Sequence, residues 1–233
     1  MTAIRGARER ARAEVTAAIK EEARRQLADQ GAAKLSLRAV ARELGMVSSA
    51  LYRYYPSRDE LLTALIVDAY DAIGAAAEGA LAATRGDDAP VARWTAVCRA
   101  ARGWALAHPH EYALIYGSPV PGYSAPQTTV APASRVALAL IAVIRDAHAA
   151  GALRVPEGTE ELPEEVRADV APLADALGTE LPAPVLAALV AAWAQLFGLI
   201  SFELFGQFQK VVEAREEFFA HTAAALGRQV GLG

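Results

Sequence analysis

The sequence predicts an all-α protein with a small N-terminal helical unit and a larger C-terminal one. Apolar residues recur every three or four positions along most of the 233-residue chain, which is the period of an amphipathic helix. No run of any length alternates apolar and polar residues as a half-buried strand would. Glycine and proline interrupt the helical pattern at a few places, and these interruptions set the expected element boundaries.

The composition excludes several classes of protein. The chain is 54% hydrophobic and 21% charged, which is typical of a globular protein and not of a disordered one. The single cysteine, Cys98, excludes a disulfide framework and a cysteine-based zinc site. The basic start lacks the apolar core of about 7–15 residues that a secretory signal needs, so we expect a cytoplasmic protein.

Four helices are predicted in the first third of the chain. The first ends at Gly31 and is marked by apolar residues four positions apart, namely Val15, Ile19, Ala23 and Leu27. Two short helices follow over residues 37–44 and 48–54, and a long one runs from Arg58 to about residue 83.

The remaining elements are also helical. After a break at 85–90, helices are predicted over 89–108, 109–116, 134–150, 163–177, 184–206 and 210–228. The segment 117–132 holds four prolines and two glycines, which predicts a loop. The 22 uncharged residues between Glu180 and Glu203 could span a bilayer, but they are rich in alanine, contain Gln195 and lack basic residues before them. We therefore predict a buried helix there.

The two parts of the chain differ in charge. Residues 1–63 carry 12 Lys and Arg against 8 Asp and Glu, whereas residues 64–233 carry 11 against 19. A basic segment on an acidic body suggests an anionic partner for the first part, although a solvated helix face explains the same pattern.

The first short helix has clear start and stop signals. Ser36 stands at the N-cap position, and Leu35 and Val40 can form a hydrophobic staple. Gly45 follows as a left-handed C′ residue, and three residues then separate the two short helices. So short a link forces a steep crossing, which is the geometry of a helix-turn-helix. A tight hairpin of two helices in an ordinary bundle has the same spacing.

The second short helix carries the chemistry that suits DNA. Leu51 faces inward, while small residues at the start of the helix leave room to approach base edges. The phenols of Tyr52 and Tyr54 can donate to phosphate. The cations around them are Arg38, Arg42, Arg53 and Arg58. Ser57 to Glu60 form a capping box that starts the next helix.

These segments resemble a known family. Residues 36–45 (SLRAVARELG) and 50–62 (ALYRYYPSRDELL) resemble the DNA-binding signature of TetR-family transcriptional regulators, and the likeness extends over 10–62. Residues 193–201 (WAQLFGLIS) resemble the Trp-His-Gly segment of one TetR subgroup, as do residues 105–109 and 119–123.

The resemblance implies a three-helix helix-turn-helix DNA-binding domain over 1–57 and a helical effector-binding and dimerisation domain over 58–233. It implies that Ser48, Ser49 and Ala50 face bases, and that Ser36, Tyr52 and Arg58 contact the DNA backbone. The other expected DNA-binding residues are Arg38, Arg53 and Tyr54. Val47 departs from the family, which usually has a Ser or Thr cap there, so Ser48 is expected to cap the helix instead.

The rest of the chain is expected to bind an effector and a second copy. The expected ligand-binding side chains, near the proline-rich loop or in the subgroup motif, are Trp104, Tyr112, Tyr116, Tyr123 and Phe197, where Phe197 replaces the subgroup's His. The expected dimer interface consists of Leu186, Leu189, Val190, Trp193, Ile200 and Phe218. For each of the aromatic residues an ordinary core or cap position is the favoured alternative, whereas for the dimer set the less favoured alternative is the core of a monomeric domain.

The sequence thus predicts a ligand-responsive, sequence-specific transcriptional regulator. We expect a repressor that binds a palindromic DNA operator as a homodimer and is released by a small molecule. The alternative is a helical small-molecule-binding protein without DNA activity. No catalytic motif is present, so no enzyme activity is expected. No cofactor is expected, and His108 and His110 lack an evident third ligand for a metal.

Overall fold

The computed structural model describes residues 2–84, 88–155, 162–177 and 180–233, and this part of the chain is helical as predicted. Its ten α-helices are α1 (Thr2–Gln30), α2 (Leu37–Glu43), α3 (Ser48–Leu51), α4 (Arg58–Ala83), α5 (Pro90–Ala107), α6 (Pro109–Tyr116), α7 (Val130–Ala149), α8 (Glu164–Leu177), α9 (Ala183–Leu204) and α10 (Arg215–Gln229). Short 3₁₀ turns cover Ala32–Lys34 and Gln127–Thr129. The break expected at 85–90 includes residues 85–87, which lie outside the described residues.

Three helices have different bounds from those predicted. α3 is four residues long, and residues 52–54 form a turn. α7 begins at Val130 because Pro132 fits its first turn, where a missing N–H breaks no hydrogen bond. α10 begins at Arg215 and not at residue 210, since Gly206 and Lys210 both have positive φ, which ends helical geometry.

The chain folds as two compact units. The first comprises Met1–Tyr70 and His108–Pro132, and the second comprises Asp71–Ala107 and Ala133–Gly233. This division differs from the expected boundary between residues 57 and 58. The reason is that α6 and the loop after it fold back onto the first unit, where Val120 and Tyr123 pack against its core.

A single apolar core holds the first unit together. Residues from α1, α2, α3 and α4 meet in it, and the fully buried members are Ile19, Ala23, Val40, Leu51, Leu61 and Leu62. Ion pairs add to this packing: Asp68 of α4 accepts from Lys20 Nζ at 2.7 Å and from Arg24 Nη2 at 2.8 Å, both on α1. α1 and α4 are therefore fixed to each other by both core and charge.

The second unit is built around α5, α9 and α10. Trp94 of α5 is fully buried, and its indole N–H donates to the Ala223 carbonyl at 3.0 Å. Gly227 allows this approach, because a Cβ there would lie 3.0 Å from Trp94 Cδ1. No local sequence pattern predicts this contact, because it joins residues 129 positions apart.

A buried ion pair links the same three helices. Arg102 of α5 donates from Nε and Nη2 to the two carboxylate oxygens of Glu203, each at 2.7 Å, and also pairs with Glu216 at the start of α10. Arg102 and Glu203 are both buried, and the guanidinium lies 5.2 Å from the Phe219 ring centroid. These interactions with the carboxylates raise the pKa of Arg102, so it stays charged.

Two helical segments are long and apolar enough to cross a membrane, Gln127–Ala149 and Ala183–Leu204. Each segment contains both buried and exposed residues. Leu140 and Ile144 are fully buried in Gln127–Ala149, and Val185 and Ile200 are fully buried in Ala183–Leu204. Length and composition alone are weak support for a membrane span, since the core helix of a soluble protein meets the same test.

The Arg102–Glu203 pair gives a stability prediction. Arg102→Met should lower the free energy of unfolding by about 3 kcal/mol, because Glu203 is left buried without its partner. Arg102→Met/Glu203→Leu should recover most of that loss, since an apolar pair needs no compensating charge. Urea unfolding at one fixed protein concentration measures both. Equal losses in the single and double variants would contradict this account.

Candidate nucleic-acid interface

α2 is capped at both ends as its sequence predicts. The Ala39 N–H donates to Ser36 Oγ at 3.4 Å at the start of the helix. At the end, Gly45 has φ 63°, the Met46 N–H donates to the Ala41 carbonyl and the Gly45 N–H to the Arg42 carbonyl. This pair of bonds is the Schellman motif, and it turns the chain sharply towards α3.

α3 presents a small polar edge to solvent. Leu51 is fully buried in the core of the first unit, while Ser48 and Ser49 are exposed and Ala50 is half-buried. The expectation that Ser48 caps the helix was wrong: Val47 occupies the N-cap position and no side chain caps the helix. Within the described residues the Ser48 hydroxyl has no hydrogen-bond partner, so it remains available for an external acceptor or donor.

An exposed rim of cations and one phenol surrounds α3. Tyr52 is 41% exposed, and Arg38 and Arg53 are also exposed. In the part of the chain that the structure describes, neither arginine pairs with a carboxylate. Arg42 is exposed as well, but its Nε lies 3.4 Å from Glu43 Oε1. Arg38 and Arg53 therefore give the rim positive charge that no carboxylate among the described residues neutralises.

Tyr54 is less accessible to an external ligand than Tyr52 and Arg53, which are exposed. It is half-buried and packs against the core of the first unit. The Arg12 guanidinium of α1 lies 5.4 Å from the centroid of its ring, which is cation–π distance. The Tyr54 ring therefore links α1 to the turn after α3 through this cation–π contact, and its hydroxyl plays no part in that link.

Arg58 does not have the free side chain expected of a phosphate ligand. Its Nη2 donates to the carbonyls of Ala32 at 2.9 Å and Ala33 at 3.3 Å, and its Nε donates to Leu35 at 3.2 Å. These carbonyls belong to the turn between α1 and α2, where the Ala32 carbonyl also accepts from the Leu35 N–H at 3.2 Å. The predicted phosphate contact is thus corrected: the planar guanidinium holds this turn in place.

The five expected ligand-binding residues fall in both units. Tyr112, Tyr116 and Tyr123 lie in the first unit, and Trp104 and Phe197 lie in the second. The Tyr112 and Tyr116 rings are 5.2 Å apart, and the Tyr123 hydroxyl is 2.9 Å from Thr63 Oγ1. Burial raises the pKa of Tyr116, so its phenol is neutral at physiological pH.

Two open clefts are described, and neither is lined by any of those five side chains. One, of about 900 Å³, follows the α1 surface from Glu9 to Arg24 and includes Asp68. The other, of about 400 Å³, lies in the second unit beside Arg135 and Leu138. In that unit Arg135 pairs with Asp71 at 2.7 Å and with Glu78 at 2.6 Å, and hydrogen bonding from Arg135 lowers the pKa of Glu78.

The predicted dimer residues separate into two groups. Leu186, Leu189 and Ile200 are buried in the protomer's own core, so their assignment to a dimer surface is corrected: a second chain cannot reach them. Val190, Trp193 and Phe218 are exposed as a partner surface requires.

Val211, which the sequence offered as part of the last helix, is exposed too, and so are Phe202 and Phe205, which the sequence pattern did not single out. Phe202, Phe205 and Val211 are 53%, 44% and 74% exposed. They lie at the end of α9 and in the turn after it, where the helix was wrongly expected to resume at residue 210. The centroid of the Phe208 ring lies 5.8 Å from that of Phe202 and 5.7 Å from that of Phe218.

Family comparisons match both parts of the chain. Residues 19–65 match the family described as bacterial regulatory proteins, tetR family. Residues 94–226 match the tetracyclin repressor-like C-terminal domain. The chain is also 44% identical over 208 residues to the HTH-type transcriptional regulator Rv1816 of Mycobacterium tuberculosis, covering 87% of this chain and 86% of that protein. The regulator Mb1846 of Mycobacterium bovis is equally similar.

Solved structures agree with this fold. The crystal structure of the regulatory protein SCO4313 has a TM-score of 0.74 at 36% identity, covering 94% of this chain and 97% of that one. A protein with unknown function from Rhodococcus sp. RHA1 has a TM-score of 0.70 at 22% identity, covering 93% and 95%. At that identity the second likeness supports the fold alone.

The role of Arg58 can be tested without DNA. Arg58→Lys keeps the charge but replaces a planar fork with one ammonium, so we expect a loss of about 1–2 kcal/mol in the free energy of unfolding. Arg38→Lys, at an exposed and unpaired position, is the matched control and should change stability by less than about 0.5 kcal/mol. Denaturant titrations compare them. If Arg58→Lys has the wild-type free energy of unfolding, the contacts of Arg58 with these carbonyls do not stabilise the fold.

Proposed function

This chain belongs to the tetR family of bacterial regulatory proteins and is a DNA-binding transcriptional regulator of the helix-turn-helix type; on that premise we propose that it is a homodimeric repressor released from its operator by a small molecule. It acts in the cytoplasm by occupying DNA and not by catalysis. Its second unit belongs to the subgroup with a Trp-His-Gly segment, with Phe197 in the place of the histidine.

The observation that carries the proposal is the exposed edge of α3. Leu51 fixes this one-turn helix to the core, and Ser48 and Ser49 face solvent from the opposite side. A helix enters the major groove with its N-terminal side chains nearest the bases, and short side chains allow the backbone to come close. Ser48, Ser49 and Ala50 are therefore the proposed base-reading residues.

The rim around α3 supplies the contacts that do not depend on sequence. Arg38 and Arg53 are exposed and unpaired among the described residues, and Tyr52 can donate its hydroxyl to a phosphate oxygen. Ser36, whose hydroxyl accepts from Ala39 N–H, also lies at the first turn of α2, where a backbone phosphate is expected. These contacts fix the orientation of α3 and leave sequence selection to its serines.

A second copy of the chain is the proposed partner of the exposed apolar surface of α9 and the residues after it. Val190, Trp193, Phe202, Phe205, Val211 and Phe218 would be covered by it. Two-fold symmetry then presents two copies of α3 to the two halves of a palindromic operator.

The proposed effector is a small molecule with an apolar body and at least one polar group. In the first unit Tyr116 and Tyr123 are half-buried and combine an aromatic face with a polar atom, and Tyr112 is buried. Trp104 is the half-buried candidate of the second unit, where Phe197 is buried. An effector reduces operator occupancy if it binds better to the conformation that fits DNA poorly.

Base reading is tested with Ser49→Arg. The variant should change the ranking of operator variants in fluorescence anisotropy, starting from DNA upstream of the protein's own gene, because Arg pairs with guanine where Ser does not. Ser124→Arg, which adds the same charge in the loop before α7, is the control and should leave the ranking unchanged. An unchanged ranking in Ser49→Arg would exclude base reading at this position.

The dimer surface is tested with a pair of matched variants. Val190 and Leu138 are exposed to nearly the same extent, 45% and 47%, on long helices of the second unit. Val190→Asp should raise the dimer dissociation constant by at least about 100-fold, since a buried unpaired carboxylate costs several kcal/mol. Leu138→Asp should leave it unchanged. Sedimentation velocity over a dilution series measures both, and two dimers of equal strength would contradict the assignment.

A further inference from the structure

α1 continues well beyond the part of the chain that matches the DNA-binding family. The match begins at residue 19, but α1 begins at Thr2 and is unbroken to Gln30. Residues 2–18 therefore add a helical extension of about 25 Å at 1.5 Å per residue. From residue 7 to residue 14 every side chain is exposed, and among the described residues this part of α1 contacts the first unit through the Arg12 guanidinium and the Tyr54 ring.

The chemistry of this extension suits a polyanion. Residues 7–14 read ARERARAE, which is three arginines, two glutamates and three alanines, so alanine is the sole apolar residue type. An apolar protein groove needs large apolar side chains, and here there are none. Among the described residues, Arg8 and Arg10 have no carboxylate partner, whereas Lys20 and Arg24 on the same helix both pair with Asp68.

The position of the extension links it to the nucleic-acid interface. Arg12 lies over the ring of Tyr54 at 5.4 Å, and Tyr54 follows directly after Tyr52 and Arg53 of the exposed rim. Arg8 is one helical turn before Arg12 and projects from the same side of α1. Arg8 therefore continues the proposed phosphate-binding rim along α1, and Arg10, two positions from both Arg8 and Arg12, projects from a different side of the same helix.

We propose that the extension of α1 is a second DNA-binding element, in which Arg8 and Arg10 bind backbone phosphates outside the segment read by α3. The inference rests on the proposed function and adds a sequence-independent contact to it. Phosphate binding by arginine releases counterions from DNA, so each contact contributes affinity that falls as salt rises. The extension increases affinity for operator and random DNA alike.

Random-sequence DNA is sufficient to test this, because phosphate contacts carry no sequence information. The double variant Arg8→Gln/Arg10→Gln retains good helix formers and removes both charges. We expect binding to a labelled random duplex of about 40 bp to weaken roughly threefold to tenfold, and the slope of log affinity against log salt to fall by about one per lost contact.

The control removes the same net charge elsewhere. Arg145→Gln/Arg228→Gln changes two exposed arginines of the second unit and should leave affinity and slope near wild type. Glu9→Gln removes the acid between the two tested arginines and should tighten binding. Circular dichroism at equal concentration shows whether the helical content of each variant is retained.

The outcomes separate this inference from the function on which it rests. Equal DNA affinity of wild type and Arg8→Gln/Arg10→Gln would overturn the inference and leave the proposed function standing. Equal losses of DNA affinity in the two double variants would have the same meaning. A wild-type protein that binds no duplex at low salt would overturn the proposed function and the inference together. Weaker, less salt-dependent binding in Arg8→Gln/Arg10→Gln alone, with tighter binding in Glu9→Gln, would support it.

Discussion

The placement of α3 depends on the burial of Leu51. A helix of four residues is far too short to be stable by itself, so its orientation must come from packing. Leu51 provides it by entering the core formed by α1, α2 and α4, a contact of roughly 1.5–3 kcal/mol for a fully buried leucine. The Schellman turn at Gly45 and the guanidinium of Arg58 then fix the two chain segments that lead into this core. Everything that α3 can present to DNA follows from that arrangement.

Arginine has three separate uses in this chain, and its surroundings decide which. Arg58 is held by carbonyls, Arg102 by the buried carboxylate of Glu203, and Arg38 has neither kind of partner within the described residues. Only the last kind can give its full charge to an external anion, because an arginine already bonded must first break its internal contacts. The basic excess of residues 1–63 is therefore not a measure of DNA affinity, since part of it supports the fold.

Local signals in the sequence were sufficient for the helices and their caps. Ser36, Gly45 and Ser57 act through neighbours within four residues, and all three take the predicted positions. What could not be predicted depends on residues distant in sequence. The partners of Arg58 lie 23 to 26 positions away, and Leu186 and Ile200 share an apolar helix with exposed Val190 and Trp193. Composition shows that such a helix is apolar all round, but only the packing of α5, α8 and α10 against it decides which side remains open.

The return of α6 to the first unit has a consequence for how such regulators can be recombined. The unit that carries α3 is assembled from two separate stretches, Met1–Tyr70 and His108–Pro132. A cut at a single point after α4 begins would leave behind the surfaces of Leu114, Val120 and Tyr123 that complete its core. A chimera that takes its DNA specificity from this chain must therefore inherit both stretches, and gene fusion at one junction transfers an incomplete fold.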